Sequence, residues 1–161
     1  MRDPHPHPDA GPGTGEGTDC PSGCRARGLR GPVPSAQEAA DAVRVAMARG
    51  DGDRTFAVVL EVRDRLRDAL ALREEPALVA DAWVRRPTGL EGPWFVLLAV
   101  LVHHEFERVN LPPPAWTAAQ QLPTAWVLDT PRLTDAEIRD QTPTWLAARN
   151  IYIAVKDLGT L

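Results

Sequence analysis

The sequence has little that would support a disulfide framework or a membrane span. It contains two cysteines, Cys20 and Cys24, in 161 residues, which excludes a small scaffold held by several disulfides. The longest apolar run, over residues 94–102, has nine residues, whereas a membrane-spanning helix needs about 20. No apolar secretory leader and no Arg-rich import peptide is recognisable in the first residues. We therefore expect a cytoplasmic protein.

The sequence also lacks the short motifs that define common reactions. It has no phosphate-binding loop, dinucleotide fingerprint, nucleophile elbow or His-Glu-x-x-His peptidase motif. The glycine-rich run over residues 11–15 is of low complexity, because no strand precedes it and no helix follows it. An enzyme is therefore disfavoured, and no cofactor and no metal-ligand set are predicted.

A positive charge balance is absent as well. The formal net charge is -4, and the first 34 residues contribute four basic and four acidic side chains, so the excess of acid belongs to the remainder. Such a chain has no overall positive electrostatic field that would attract the phosphate backbone of a nucleic acid. Direct nucleic-acid binding is disfavoured.

Proline, glycine and aromatic residues divide the chain in two. Residues 1–34 contain seven of the 16 prolines, seven of the 12 glycines and no aromatic residue, a composition typical of disorder. We predict a disordered tail over 1–34 and a single globular domain over 35–161. Cys20 and Cys24 with His5 and His7 could offer four zinc ligands, but two reduced thiols in the tail are the preferred interpretation.

Helical spacing begins after the tail. Ser35 and Glu38 form a capping-box pattern, and Gly50 suits the left-handed exit of that first helix. A second helix, capped by Asp53, is predicted to run to about Arg73 and to form an antiparallel hairpin with the first. A short third helix is predicted over 77–83, after Pro76.

One stripe of the second helix is apolar. Its members are Phe56, Val59, Leu60, Leu66 and Leu70, while charged residues that include Arg63 and Arg67 are assigned to the remaining surface. The segment from Trp94 to about Glu107 is apolar on all faces up to His103, which favours a central buried helix over a buried strand. Consecutive prolines at 112–114 then end helical structure, and the connector is expected to pack through Trp116.

Short elements complete the pattern. Residues 125–128 and 150–153 are β-prone and are predicted to pair as a ribbon. Between them Thr134 and Glu137 form a second capping box, Thr142 is expected to cap a helix that continues through Arg149, and Asn150 suits its exit. Leu158 is expected to be buried in a last turn. The fold class is mainly α with a small two-stranded β ribbon (α+β).

Two groups of side chains are candidate sites. On a helix His103 and His104 can each share a face with Glu107. The alternative function is therefore a small metal-dependent hydrolase or nuclease that uses these residues with an acid from residues 129–140. Polar residues that simply end a buried helix explain the same pattern. Trp116, Trp126 and Trp145 are either a surface for a protein partner or part of the core.

The C-terminal half shows a resemblance. An apolar helix ending in His-Glu, the Leu-Pro-x-Pro-x-Trp pattern at 111–116, a tryptophan strand, and the run Thr-Pro-Thr-Trp-Leu-Ala-Ala-Arg-Asn-Ile-Tyr-Ile at 142–153 follow in order. Together residues 94–161 resemble an uncharacterised actinobacterial domain of antitoxin-like or regulator proteins. The resemblance implies a non-catalytic interaction module that binds the product of a neighbouring gene. Its usual helix-turn-helix companion is not evident here, so DNA binding is not implied.

Deletion of residues 1–34 tests the predicted boundary. If that segment contributes no packed side chain, the shortened protein should melt within about 2 °C of the full chain in a thermal denaturation followed by circular dichroism. A clearly lower melting temperature would contradict the boundary.

Overall fold

The computed structural model describes residues 34–72, 76–128 and 132–159. Its helices are α1 (Ala36–Met47), α2 (Gly52–Leu72), α3 (Pro76–Asp81), α4 (Gly92–Arg108), α5 (Asp135–Gln141) and α6 (Thr144–Ala147). Two strands, β1 (Trp126–Val127) and β2 (Ile151–Tyr152), and two 3₁₀ turns, Ala115–Thr117 and Val155–Leu158, complete the described part. The mainly helical fold with a two-stranded ribbon is thus confirmed. Residues 1–33 of the predicted tail, with Cys20 and Cys24, lie outside the described residues.

The first helix begins and ends as its sequence predicts. The Ser35 hydroxyl accepts the Glu38 amide hydrogen and the Glu38 carboxylate accepts that of Ser35, which completes the capping box. Gly50, at φ 71°, takes the left-handed conformation just beyond the helix. One face of α1 is buried and packs on α2, so the predicted helical hairpin is present.

The second helix departs from the prediction at its start and on its surface. Asp51, and not Asp53, is the capping residue, because its Oδ1 lies 2.9 Å from the Arg54 amide nitrogen, three residues on. Arg63, which the sequence predicts on the solvent-facing surface, is only 3 % exposed. It lies four residues after Val59 and three before Leu66, and this spacing places it on the buried stripe.

The fourth helix is the centre of the core. All side chains from Phe95 to Val102 are buried, and Phe106 is buried in the last turn. Helices α1 and α2 and the first 3₁₀ turn pack against it. The prediction of a central buried helix is confirmed and that of a buried strand is wrong, because a helix apolar on every face satisfies its own backbone while it is surrounded.

The proline connector is held by two tryptophans. Trp116 is buried in the first 3₁₀ turn, its indole Nε1 donates to the Trp83 carbonyl oxygen at 2.8 Å, and its ring stacks on Phe95. Trp83 itself is fully buried just beyond α3, which ends at Asp81 and is shorter than the predicted 77–83. The connector is therefore packed through Trp116 as expected.

The C-terminal ribbon is parallel. Trp126 pairs with Ile151 and Val127 with Tyr152, and the Trp126 amide donates to the Asn150 carbonyl oxygen at 2.8 Å. Helices α5 and α6 lie in the connection between the strands, as a parallel pair requires a crossover. Leu158 is buried in the second 3₁₀ turn, as predicted.

Thr142 does not cap α6. Its hydroxyl donates to the Ile138 carbonyl oxygen at 2.7 Å and so completes the end of α5. Helix α6 starts after Pro143 and ends at Ala147, short of the predicted Arg149. Asn150 has the predicted left-handed conformation, with φ 61°. Within the described residues, no helix has the length and apolar character needed to cross a membrane.

Removal of Trp116 should be the more costly of two tryptophan truncations. Trp116→Ala is expected to lower the free energy of unfolding by about 3–5 kcal/mol, because a buried indole leaves a cavity and an unused carbonyl acceptor. Trp145→Ala, at a half-buried ring, should cost less than half as much. Urea unfolding of both variants measures this order, and equal losses would contradict the assignment of Trp116 to the core.

Candidate functional site

The two consecutive histidines of α4 lie against different neighbours. Adjacent residues of a helix project about 100° apart, so His103 reaches the first 3₁₀ turn while His104 reaches α6. The His103 Nδ1 lies 2.9 Å from the Thr117 Oγ1. The His104 ring stacks on Trp145 with centroids 4.2 Å apart and planes inclined by 6°.

The Glu107 carboxylate lies next to the His103 ring and not next to the His104 ring. Its Oε1 lies 3.4 Å from the His103 Nε2, across one helical turn. Of the residues proposed for a metal-dependent hydrolase, the structure therefore pairs His103 with Glu107 and directs His104 to Trp145. No group of three or more His, Cys, Asp or Glu side chains suited to a metal ion occurs in the described ranges. The hydrolase alternative stays a prediction.

The acidic residues of α5 lie at the surface. Asp135, Glu137 and Asp140 are exposed, and the Glu137 carboxylate accepts the Thr134 amide hydrogen in the second capping box. That hydrogen bond lowers the pKa of Glu137 below its ordinary value. Capping explains Glu137, and Asp129 lies outside the described residues.

The tryptophans named as a binding surface fall into two environments. Trp116 is in the core, with 8 % of its surface exposed. Trp126 and Trp145 are half-buried, and Trp126 contacts Trp94 edge to face with ring centroids 5.0 Å apart. Both half-buried rings lie where the C-terminal elements meet α4. The rings form two separate pairs, Trp94 with Trp126 and His104 with Trp145, whose α4 members lie about 15 Å apart along the helix. We call the two pairs together the aromatic seam.

Sequence reasoning missed a buried ionic cluster beside the histidines. The Glu105 carboxylate is 2 % exposed and accepts from Arg67 at 2.6 and 2.9 Å and from Arg108 at 3.1 Å. The hydrogen bond with Glu105 raises the pKa of Arg67 above its ordinary value. A signal was present, because Glu105 lies four residues after Leu101 and directly before Phe106, on the buried surface of α4.

A second missed contact joins α2 to the last turn of the described chain. The buried Arg63 guanidinium donates to the Leu158 carbonyl oxygen and to the Asp64 carboxylate. A guanidinium has five N–H donors in a planar fork, so it can satisfy a backbone acceptor and a carboxylate together. This contact fixes the C-terminal segment against α2.

Comparison of the chain with protein-family models, with curated proteins and with solved structures found no match in any of the three.

The stacked His104 should make stability depend on pH. Burial against Trp145 lowers the pKa of His104 below its ordinary value, so the folded protein prefers the neutral ring. As the pH falls through about 6.5, the unfolded chain takes up a proton first, and the free energy of unfolding should decrease.

Urea unfolding between pH 7.5 and 5.5, in buffer with a chelator, measures this effect. His104→Gln retains a planar group over the indole but no titrating ring, so its free energy of unfolding should vary less with pH. Parallel pH profiles for the two proteins would contradict the prediction.

Proposed function

We propose that this protein is a non-catalytic protein-interaction module, the antitoxin-like or regulatory partner of a neighbouring gene's product, and that the partner docks on the aromatic seam. The observation that carries the proposal is the division of the tryptophans. Trp83 and Trp116 are in the core, whereas Trp94, Trp126 and Trp145 are only partly buried.

Partly accessible indoles suit a binding surface for physical reasons. Tryptophan is enriched among the residues that dominate binding energy, because it buries a large apolar area and still offers an N–H donor. The seam also holds its rings in place, since Trp94 supports Trp126 and His104 supports Trp145. Rings that are already ordered lose less conformational entropy when a partner binds.

The charges of the chain support a protein partner over a nucleic acid. The formal net charge is -4, and α5 adds the exposed Asp135, Glu137 and Asp140 beside the C-terminal ribbon. An acidic surface repels phosphate backbones and favours a partner with a complementary basic patch. Together with the resemblance of residues 94–161, this supports a cytoplasmic partner encoded by an adjacent gene.

Co-purification with the product of the adjacent gene tests the proposal. The two proteins are mixed at micromolar concentrations and separated by size-exclusion chromatography, and we expect them to elute as a complex. Trp145→Ala should weaken the complex at least about tenfold in a titration calorimeter, because truncating a tryptophan that dominates an interface costs about 2 kcal/mol or more.

Leu78→Ser is the matched control. Leu78 is 65 % exposed on α3, outside the seam, so its substitution should leave the affinity unchanged. Circular dichroism must show that both variants remain folded at the temperature of the measurement. Absence of a complex, or equal affinities for wild type and Trp145→Ala, would contradict docking on the seam.

A further inference from the structure

The hydrogen bonds of the ribbon show which backbone groups of β1 point away from β2. The Trp126 amide donates to the Asn150 carbonyl oxygen at 2.8 Å. The Leu128 amide donates to the Tyr152 carbonyl oxygen at 3.0 Å. In a parallel pair, the residue between two such donors directs its own N–H and C=O to the opposite side. The backbone groups of Val127 therefore lie on the edge of β1 that faces away from β2, which we call the outer edge.

The outer edge is unpaired within the part of the chain that the structure describes. The sheet there consists of β1 and β2 alone, and no described residue outside the ribbon is hydrogen-bonded to the Val127 backbone. Val127 is partly exposed. On the far edge of β2, by contrast, Ile151 and Ile153 are fully buried. An accessible strand edge with unpaired N–H and C=O groups is a template for a further strand.

The first face of the ribbon beside the outer edge is apolar and the second is covered by α5. Side chains alternate between the two faces of a strand. The Trp126 ring meets Trp94 of α4, so the first face is the one directed to α4. Val127 belongs to the second face, together with Tyr152, whose ring is covered by the Arg139 guanidinium of α5.

Helix α5 makes the second face acidic. It packs on β1 and has three exposed carboxylates, those of Asp135, Glu137 and Asp140. Its one basic residue, Arg139, is directed over the tyrosine ring of β2, and Lys156 interacts electrostatically with Glu137. Acidic groups remain in excess, so this side of the outer edge favours cationic side chains.

We propose that the partner docks by adding an extended segment to the outer edge of β1, and that this segment alternates apolar with basic residues. The inference rests on the proposed function and names the binding element of that partner. The apolar side chains of the added strand pack on the Trp94–Trp126 pair of the seam, while its Lys or Arg side chains lie beside α5. Its backbone pairs with the N–H and C=O of Val127.

The proposed pairing accounts for affinity and for specificity separately. Main-chain hydrogen bonds at a sheet edge supply affinity, and the alternate side chains of the added strand supply specificity. A two-stranded ribbon gains from a third strand, because two strands alone are marginally stable. A second copy of this chain does not fit the edge, because pairing two β1 strands would bring two acidic α5 helices together.

Amide hydrogen exchange, measured by nuclear magnetic resonance on the isotope-labelled full-length chain, tests the edge. In the free protein the Val127 amide should exchange at least about tenfold faster than the amides of Trp126 and Leu128, which are paired with β2. In the complex with the product of the adjacent gene, exchange at Val127 should slow at least about tenfold.

Two variants separate the backbone of Val127 from its side chain. Val127→Pro removes the outward N–H and no hydrogen bond of the ribbon, and proline is tolerated on edge strands, so it should weaken the complex at least about tenfold in a titration calorimeter. Val127→Thr is the matched control. It keeps the N–H and the β-branched shape, so the affinity should stay within about twofold of wild type.

The outcomes distinguish this inference from the proposed function. If a complex forms but exchange at Val127 does not slow, or if Val127→Pro binds as tightly as Val127→Thr, edge pairing is overturned and the proposed function stands. A Val127 amide that is as protected as its neighbours in the free protein overturns edge pairing without any partner. Absence of a complex contradicts the proposed function and this inference with it. If Val127→Pro fails to fold, exchange at Val127 in the wild-type complex decides.

Discussion

The central constraint on the described chain is the need to cover α4 on all sides. A helix with apolar residues on every face can satisfy its backbone by itself but must be surrounded to remove its side chains from water. The α1–α2 hairpin and the proline connector pack against it, while β1 and α6 reach it through Trp126 and Trp145. Trp126 and Trp145 belong to this cover and are themselves only partly buried.

The C-terminal end of α4 is under a different constraint, because there the helix passes from the core to the solvent. Glu105 is buried one residue before Phe106 and would be costly if it were unpaired, so guanidinium groups from α2 and from α4 itself surround its carboxylate. The same cluster joins α2 to α4 at a defined position. The neighbouring Glu107 lies against His103, with its Oε1 3.4 Å from the imidazole Nε2.

Local signals predicted the fold where the chemistry was itself local. Both capping boxes formed, because a hydroxyl and a carboxylate three residues apart satisfy each other's backbone donors whatever the rest of the chain does. The prediction that Thr142 caps α6 is wrong because its hydroxyl donates instead to the Ile138 carbonyl oxygen, four residues earlier, at the end of α5. The prediction for Arg63 is wrong because its charge indicates the surface, whereas its buried acceptor, the Leu158 carbonyl oxygen, is distant in sequence.

At the candidate site, too, local sequence signals do not reveal contacts with residues that are distant in sequence. His103 and His104 are adjacent in the sequence, and an acid-base or metal group that uses both is the natural hypothesis, yet a helix turns them about 100° apart toward different neighbours. The neighbour of each imidazole is a residue far along the chain: Trp145 stacks on the His104 ring, whose burial favours its neutral form, while the Thr117 Oγ1 lies 2.9 Å from the His103 Nδ1. Neither partner is marked by spacing or composition. The chemistry of this helix end is therefore a property of how the connector and α6 pack on α4, and a substitution that loosens that packing should alter the histidines without touching them.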